Sequence, residues 1–275
     1  MPMLDRPSWA PKRIDLDRPS GARVYDYLLG GGCNTAADRE LAKRLVTVMP
    51  QVKHTVRLNR NFLRRVVTFL VGQGVTQFLD IGSGIPSVGN VHQLAQGLDP
   101  QCRVVYVDND PIAVAYAEPL LQDNNLAAAV LADFRSPEQV LNAPAVRSLI
   151  DFEKPVAVLA LLMMHFVPDS ADPARLLGRF RDALVSGSYV AISHPSFTGA
   201  DGELLADAEA VGAIVQDSME PLYLRGADDL LRITAGFEPV PPGVVHLPLW
   251  RPDSAADVGR HPESSLVYGV VAAKP

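Results

Sequence analysis

The stretch FLDIGSGIPS, residues 78–87, decides the fold class of this chain. An apolar run ends at Ile81, and Gly82 and Gly84 follow at once. Glycines at such a turn can adopt positive φ and let a ligand approach the backbone closely. The helix expected next would present free N–H groups and the positive end of its dipole. A strand, a glycine turn and a helix indicate a nucleotide-binding α/β fold, although Gly-x-Gly alone is weak evidence.

On the C-terminal side of this turn, short apolar runs alternate with helical stretches. The alternation is typical of βαβ units that build a parallel sheet covered by helices on both faces. We predict strands over residues 78–81, 104–107, 128–131, 156–161, 189–193, 244–250 and 265–272. We predict helices over residues 88–97, 112–122, 137–149, 174–185, 203–216 and 227–235. The polar, proline-containing stretch between the last two strands favours an antiparallel edge.

The N-terminal side of the turn is predicted to be helical. Residues 1–19 hold four prolines and suggest an arm, and helices are expected over residues 22–29 and 52–71. Thr35 can cap a further helix that ends before Pro50, with Asp38 in the capping-box position. We therefore divide the chain into an N-terminal arm and helical lid subdomain, residues 1–75, and an α/β domain, residues 76–275. The cations of the third helix are predicted to form a solvated face; they are Lys53, Arg57, Arg60, Arg64 and Arg65.

Composition narrows the function classes. The net charge of −6 over 275 residues gives no electrostatic reason to expect a nucleic-acid partner. The N-terminus has no apolar signal-peptide core, and the longest apolar run, residues 156–167, is shorter than the ~20 residues that cross a bilayer. Cys33 and Cys102 fit no metal-binding spacing. We expect a cytoplasmic protein without a membrane partner or a metal site.

Three acids fall at the ends of three successive predicted strands: Asp80, Asp108 and Asp133. The carboxyl ends of parallel strands meet at one sheet edge, where ligands of this fold bind. Asp80 would repel a pyrophosphate but suits a ligand with an ammonium group. A carboxylate at Asp108 can accept hydrogen bonds from both ribose hydroxyls. An acid at Asp133 can accept an adenine N–H while Phe134 packs on the base.

With these residues the chain resembles the class I S-adenosylmethionine-dependent methyltransferases. More narrowly, it resembles an actinobacterial family of S-adenosyl methyltransferases with no generally assigned substrate. The wider resemblance rests on DIGSG (80–84), VD (107–108), ADF (132–134) and LMMHFVPD (162–169). The narrower one rests on RP (18–19), ARVYDYLLGG (22–31), NRNFL (59–63), FLDIG (78–82), GNVH (89–92) and VVYVDNDP (104–111). It extends over nearly the whole chain.

The resemblance implies a Rossmann-like fold, with a seven-stranded, mostly parallel sheet whose last strand is antiparallel, preceded by the helical subdomain. It implies S-adenosyl-L-methionine as cofactor, with Gly82 and Gly84 at its methionine part, Asp108 at the ribose, and Asp133 and Phe134 at the adenine. The wider set of expected cofactor contacts consists of Asp80, Ser83, Asn109, Tyr27 and Asn59. Tyr27 could belong to a lid over the cofactor or equally be a packing residue of the N-terminal helical layer. We expect Asp108 to lie near the surface.

The sequence says less about the residues that would bind or activate the methyl acceptor than about those that would bind the cofactor. The stretch after the fourth strand, residues 160–164, lacks the Asp or Asn followed by Pro-Pro-aromatic of many amino-group methyltransferases, which disfavours methylation of DNA bases. His165 and His194 are candidate general bases, since each follows a strand at the carboxyl edge and imidazole titrates near neutral pH. Either histidine could instead hydrogen-bond a neighbouring loop. We expect the helix over residues 203–216 to form a second wall of the acceptor pocket.

Three functions fit these patterns. The favoured one is a cytoplasmic methyltransferase that acts on a small-molecule acceptor. The second is a non-catalytic, S-adenosylmethionine-binding regulatory protein, because no acid follows the fourth strand. The third is an NAD-dependent oxidoreductase, against which Asp80 argues, as does Ser87, where NAD-binding loops carry Gly or Ala.

Overall fold

The computed structural model describes residues 15–86 and 89–275. Its centre is an eight-stranded sheet in the order β3-β2-β1-β4-β5-β8-β6, and β7 also pairs with β8. The strands are β1 Gln77–Ile81, β2 Arg103–Asp108, β3 Ala127–Leu131, β4 Ala157–Leu161, β5 Tyr189–Pro195, β6 Glu238–Pro239, β7 Val245–His246 and β8 Val267–Ala273. Strands β1–β5 are parallel and β8 runs antiparallel to β5. The predicted mostly parallel α/β fold with an antiparallel last strand is confirmed.

Helices surround this sheet. They are α1 Gly21–Leu29, α2 Ala36–Val48, α3 Val52–Gly72, α4 Val91–Leu98, α5 Pro111–Leu121, α6 Pro137–Leu141, α7 Pro144–Leu149, α8 Pro173–Ala183, α9 Gly202–Ser218, α10 Ala227–Ile233 and α11 Ala255–Val258. Short 3₁₀ turns occur at Met164–Phe166, Asp169–Ala171, Leu247–Leu249 and Pro262–Ser265. Among the described residues, no helix combines the length and the apolar character needed to cross a membrane.

Two apolar cores lie on opposite faces of the sheet. The strand residues alternate between them: Leu79 and Ile81 of β1 pack with α6, α7, α8 and α10, whereas Phe78 packs with α3, α4 and α5. Every residue of β1 is buried, as expected for a central strand covered on both sides. The apolar cores on both faces hold β1 and β2 in place, with their carboxyl ends at the same edge of the sheet.

A third apolar cluster joins α1, α2 and the start of α3 to α9. Thr35 caps α2 and forms the predicted capping box with Asp38. The remainder of α3 is part of the sheet's own cover, since Phe62, Val66 and Leu70 lie in the core beneath it. Helices α1, α2 and α9 thus form a layer over the carboxyl edge. The division of the chain into residues 1–75 and 76–275 stays a prediction.

The structure departs from the predicted elements in three places. The helix predicted over residues 137–149 is two helices, because Pro144 has no N–H to continue α6 and instead starts α7. The strand predicted over residues 244–250 is reduced to β7, since Pro248 lies in the 3₁₀ turn that follows. The short β6 was not predicted, so the sheet has eight strands instead of seven. Ser87 and most of the predicted arm lie outside the described residues.

Candidate active site

A cavity of about 640 Å³ opens at the carboxyl edge of the sheet. Its floor is formed by the loops after β1, β2, β3 and β4, and its walls by α1, α3 and α9. Ala208, Val211 and Val215 place α9, the helix after β5, along one wall of the cavity. Its role as a wall of an acceptor pocket stays a prediction. The volume lies within the range of about 300–1,000 Å³ that is typical of small-molecule sites.

The glycine loop forms the centre of the floor. Gly82 has φ +65° and Gly84 has φ +62°, in the left-handed region that favours glycine. A Cβ at Gly82 would lie 2.4 Å from Cβ of Met163, so the loops after β1 and β4 touch at this residue. A Cβ at Gly84 would instead lie 3.8 Å from Cβ of Ala22, on the side facing α1. Gly82 therefore permits close packing of two loops, whereas Gly84 keeps open the space below α1.

Asp108 braces this loop. Its carboxylate accepts hydrogen bonds from the backbone N–H of Gly84 at 2.7 Å and of Asp110 at 2.8 Å. Only 8% of the residue is exposed, so the expectation that it lies near the surface was wrong. The sequence places it at a strand end, but α1 covers that end. Burial raises the pKa of Asp108 to about 6, against the opposing effect of the backbone N–H donors.

Asp80 lies on the same floor and is equally buried, with 8% exposed. Burial raises the pKa of its carboxyl to about 7; the cation of Arg60 lowers this pKa and the neighbouring Asp108 raises it. Arg60 lines the cavity from α3, with its guanidinium 5.3 Å from the ring centre of Tyr25. Its Nε is buried and has no hydrogen-bond partner within the described part of the chain. The prediction that Arg60 belongs to a solvated face was wrong, because α1 covers this side of α3.

The loop after β3 contributes an acid, Asp133, that has charged and polar partners. Asp133 lines the cavity, pairs with Arg135 at 2.5 Å and lies 3.5 Å from the Nδ2 donor of Asn109. Burial opposes ionisation, but the hydrogen bonds from Arg135 outweigh it and lower the pKa of Asp133. Phe134 also lines the cavity, yet its ring stacks on Phe180 in the core with 5.5 Å between centroids. Phe180 thus covers one face of the ring, and the packing of Phe134 on an adenine stays a prediction.

A hydrogen-bond chain ties the helical layer to the strands below it. Ser193 Oγ donates to Asn59 Oδ1 at 2.7 Å, and Asn59 Nδ2 donates to the hydroxyl of Tyr25 at 2.9 Å. Asn59 and Tyr25 line the cavity, but Tyr27 does not. Tyr27 packs against the cluster formed by α1, α2 and α9 instead, because it faces the other side of α1. The structure thus gives no cavity contact to Tyr27, contrary to its expected place among the cofactor contacts.

The two candidate bases lie in different environments. His165 lines the cavity, and its buried Nδ1 has no hydrogen-bond partner among residues 15–86 and 89–275. Burial, with smaller contributions from His194 and Arg225, lowers the pKa of His165 to about 3. Its imidazole is therefore neutral near pH 7 and is a weak base.

His194 does not belong to the cavity lining and is fully buried. Its Nδ1 lies 2.8 Å from the carbonyl oxygen of Pro195, and its Nε2 lies 3.3 Å from Nη1 of Arg225. Burial lowers its pKa to about 4. Both ring nitrogens are thus occupied by the protein, which contradicts the expectation that His194 faces an acceptor. The alternative, a histidine that hydrogen-bonds its neighbours, is what the structure contains.

Arg225 supports the loop after β4 without lining the cavity, and the sequence did not reveal this role. Its buried guanidinium donates to the carbonyl oxygens of Met164 and Val167 and pairs with Asp169 at 2.6 Å. These bonds hold the 3₁₀ turns after β4, which carry His165. No motif marks Arg225, because its partners lie about 60 residues earlier in the chain.

A latch joins α1 to the floor, and it too was not predicted. We use "α1 latch" for Ser20, Arg23, Asp38 and Asp110. Ser20 Oγ donates to Asp110 at 2.7 Å, and Arg23 pairs with Asp38 at 2.7 Å and approaches Asp110 at 3.7 Å. Because Asp110 also donates its N–H to Asp108, the latch connects α1 to the carboxylate that holds the glycine loop.

A model of the S-adenosyl methyltransferase family matches residues 7–275. The chain belongs to the S-adenosyl methyltransferase family. It is thus a member of an enzyme family, and S-adenosylmethionine is its methyl donor. No curated protein matches the chain.

Solved structures agree with this family. A DUF574 family protein from Streptomyces avermitilis is 36% identical, with TM-score 0.90, over 96% of this chain and 100% of that one. A candidate methyltransferase from Thermobifida fusca is 37% identical, with TM-score 0.89, over 97% of this chain and 99% of that one. Human N-acetylserotonin methyltransferase in complex with SAM is 16% identical, with TM-score 0.50, over 94% of this chain and 63% of that one. This last likeness shows the fold alone.

Proposed function

We propose that this S-adenosyl methyltransferase is cytoplasmic and transfers the methyl group to a small molecule, not to nucleic acid. One observation carries the proposal: the acids and glycines of the strand ends share a single cavity with the apolar side chains of α9. A cofactor on the floor would therefore face a partly enclosed acceptor space of small-molecule size. The net charge of −6 also favours an acceptor other than nucleic acid.

The residues of the floor fit the charged and polar groups of S-adenosylmethionine. Asp80 would hold the ammonium group, and Arg60, with its unpartnered Nε, would hold the carboxylate. Asp108 would accept the ribose hydroxyls, and Asp133 would lie at the adenine end. The other expected contacts that line the same cavity are Ser83, Asn109 and Asn59, together with Gly82, Gly84 and Phe134.

When bound, the cofactor supplies an electrophilic methyl group on a positively charged sulfur. The chain would contribute orientation, since fixing two reactants in line accounts for much of the barrier reduction in such transfers. The α1 latch and the hydrogen bonds of Arg225 hold the two loops between which the reactants would meet. Apolar side chains of α9 would exclude water from the acceptor.

Neither alternative function gains support from the comparisons. A regulatory binder would hold the cofactor without turnover, and an oxidoreductase would bind NADH. Calorimetric titrations with S-adenosylmethionine and NADH should give binding of the first alone, because the buried Asp80 repels a pyrophosphate.

The acceptor class is tested by following a labelled methyl group. Purified protein is incubated with methyl-labelled S-adenosylmethionine and with separated small-molecule, nucleic-acid and protein fractions of a cell extract. We expect label in the small-molecule fraction together with release of S-adenosylhomocysteine. Label in nucleic acid or protein, or tight binding with no transfer to any fraction, would contradict the proposal.

A further inference from the structure

The cavity has two chemically different ends. Its acids lie at the end that is formed by the loops after β1, β2 and β3. The other end, which we call the acceptor lobe, is formed by α9, the α2–α3 junction, the loop after β5 and the start of β8. The described lining residues of these four segments are all uncharged: Met49, Val52, Phe197, Ala208, Val211, Gly212, Val215, Leu266 and Val267. A charged molecule would therefore lose its hydration in this lobe without compensation.

Helix α9 keeps its charged residues away from the acceptor lobe. None of the acids of α9 lines the cavity, although the helix carries Glu203, Asp207, Glu209 and Asp217. The residues of α9 that line it are spaced by three or four positions and thus share one side of the helix; they are Ala208, Val211, Gly212 and Val215. Ala208 and Val215 on this side are buried. The helix therefore turns an uncharged face toward the cavity.

Gly212 lies in the middle of this face, where a glycine destabilises the helix relative to alanine. Among the described residues outside its own helix turn, only the ring of Phe197 comes within 4 Å of a Cβ added at Gly212. The distance is 3.6 Å, an ordinary van der Waals contact, so the packing of the protein itself does not exclude alanine. Gly212 and Phe197 both line the cavity and are both partly exposed. The space that the methyl group of an alanine would fill therefore belongs to the acceptor lobe.

We propose that the acceptor lobe binds an uncharged methyl acceptor with an apolar body, which packs against α9 at Gly212 beside Phe197, and that Gly212 limits the size of this acceptor. The inference rests on the proposed function, because the acceptor lobe faces the methyl group only when the cofactor occupies the acidic end. Removal of apolar surface from water supplies most of the affinity. The cost of desolvating a charge disfavours anionic and cationic acceptors.

The first test measures the binding of simple probes to protein saturated with S-adenosylhomocysteine, which fills the cofactor end and cannot donate a methyl group. Three probes share one ring system and differ in charge at neutral pH: 2-naphthol is neutral, 2-naphthalenesulfonate is an anion and 2-naphthylmethylamine is a cation. The compounds 1-octanol, octanoate and octylamine repeat the comparison on a flexible chain. We expect calorimetry to show binding of at least one neutral probe, with its charged counterparts bound about tenfold more weakly or less.

Two results would overturn the proposal. The first is a charged probe that binds as tightly as its neutral counterpart. The second is that neither 2-naphthol nor 1-octanol binds to protein that does bind S-adenosylhomocysteine. Failure of the proposed function would show elsewhere, because S-adenosylhomocysteine itself would not bind, or the methyl label would appear in nucleic acid or protein.

The second test compares two glycines that lie inside helices. Gly178 of α8 is partly exposed like Gly212, and a Cβ added there would lie 3.8 Å from Nη2 of Arg181, but Gly178 does not line the cavity. Gly178→Ala and Gly212→Ala should each raise the melting temperature by about 1–3 °C, because alanine favours the helix. Only Gly212→Ala should weaken binding of the tighter neutral probe, by about tenfold for one methyl group in a pocket, with the affinity for S-adenosylhomocysteine changed less than about twofold.

An unchanged probe affinity in Gly212→Ala would refute the role of Gly212. A melting temperature of Gly212→Ala below that of the wild type would also refute it, because the packing of the protein itself would then require the glycine.

Discussion

Among single residues, Gly84 and Gly89 separate the backbone role of a glycine from its role in the cavity. Gly84 adopts φ +62° and faces the space below α1. Gly89 adopts φ +61°, and no atom of the described residues lies within 4 Å of a Cβ added there. Gly89 does not belong to the cavity lining. The two glycines share one backbone conformation and differ in their relation to the cavity, which makes them a matched pair.

We predict that Gly84→Ala and Gly89→Ala each lower the free energy of unfolding by about 1–2 kcal/mol, the cost of a left-handed conformation with a Cβ. Only Gly84→Ala should also weaken S-adenosylmethionine binding, because its methyl group occupies the cofactor's path. Chemical denaturation and calorimetry measure the two effects. Equal cofactor affinity in both variants would show that the loop does not contact the cofactor.

Asp80 combines a binding role with a cost to stability. Its folded-state pKa of about 7 is above the usual value of 3.8, because burial disfavours the charged form. The folded protein therefore binds this proton more tightly than the unfolded chain does. The resulting stability is present at low pH and is lost as the pH rises from about 4 through 7.

Asp80→Asn should accordingly stabilise the free protein at pH 8, with a gain that shrinks as the pH falls toward 4. The same variant should lose most of its cofactor affinity, since the amide has no charge for the ammonium group. Wild-type affinity should fall as the pH drops below 7. Thermal denaturation from pH 4 to 8, with exposed Asp123→Asn as the control, tests the first part. A variant that is less stable than the wild type at pH 8 would contradict it.

At the scale of elements, α1 is held by charge as well as by apolar packing. The side chains of Arg23 and Asp38 are 3% and 0% exposed. Arg23→Met leaves the carboxylate of Asp38 buried without its cation, and breaking one side of a buried pair costs about 3–5 kcal/mol. We predict a loss of this size in the free energy of unfolding, together with weaker cofactor binding, because α1 no longer holds Asp110.

Arg44→Met, on the exposed side of α2, is the control and should change neither quantity. Denaturant titration and calorimetry on the same preparations provide both measurements. Unfolding of the variant at the wild-type denaturant concentration would mean that the latch contributes nothing to stability.

The elements themselves followed from local patterns. The capping box of Thr35 and Asp38 and the parallel strands were predictable because caps and apolar periodicity act over a few residues. The burial of Arg60 and Arg65 could not be predicted from the sequence. Both lie off the apolar stripe of α3, and Arg65 is buried because it donates to the carbonyl oxygens of Leu247 and Trp250. The prediction that Arg65 is a solvated cation was wrong, because the distant C-terminal segment covers it.

In the candidate site, too, some features could be predicted from local sequence patterns and others could not. Asp80, Asp108 and the glycine loop could be placed from sequence because strand ends must meet at one edge. The occupation of both nitrogens of His194 and the stacking of Phe134 on Phe180 depend on contacts between distant segments. Local patterns indicate which residues approach the cavity, but not which of them are already satisfied by the protein.

In the molecule as a whole, we propose that the cofactor binds to the acids of the sheet edge, beneath the layer of α1, α2 and α9. Asp108 is the junction of this arrangement, since it holds the glycine loop and connects through Asp110 to the α1 latch.

Asp108→Asn preserves the size of the side chain while removing the charge that would bind the ribose. The direct test is calorimetric titration of S-adenosylmethionine into wild-type protein and Asp108→Asn at pH 8. We predict affinity reduced about 10- to 100-fold in a variant that still unfolds cooperatively, as expected when hydrogen bonds to a charged group are lost. Wild-type affinity in a folded Asp108→Asn protein would contradict the account.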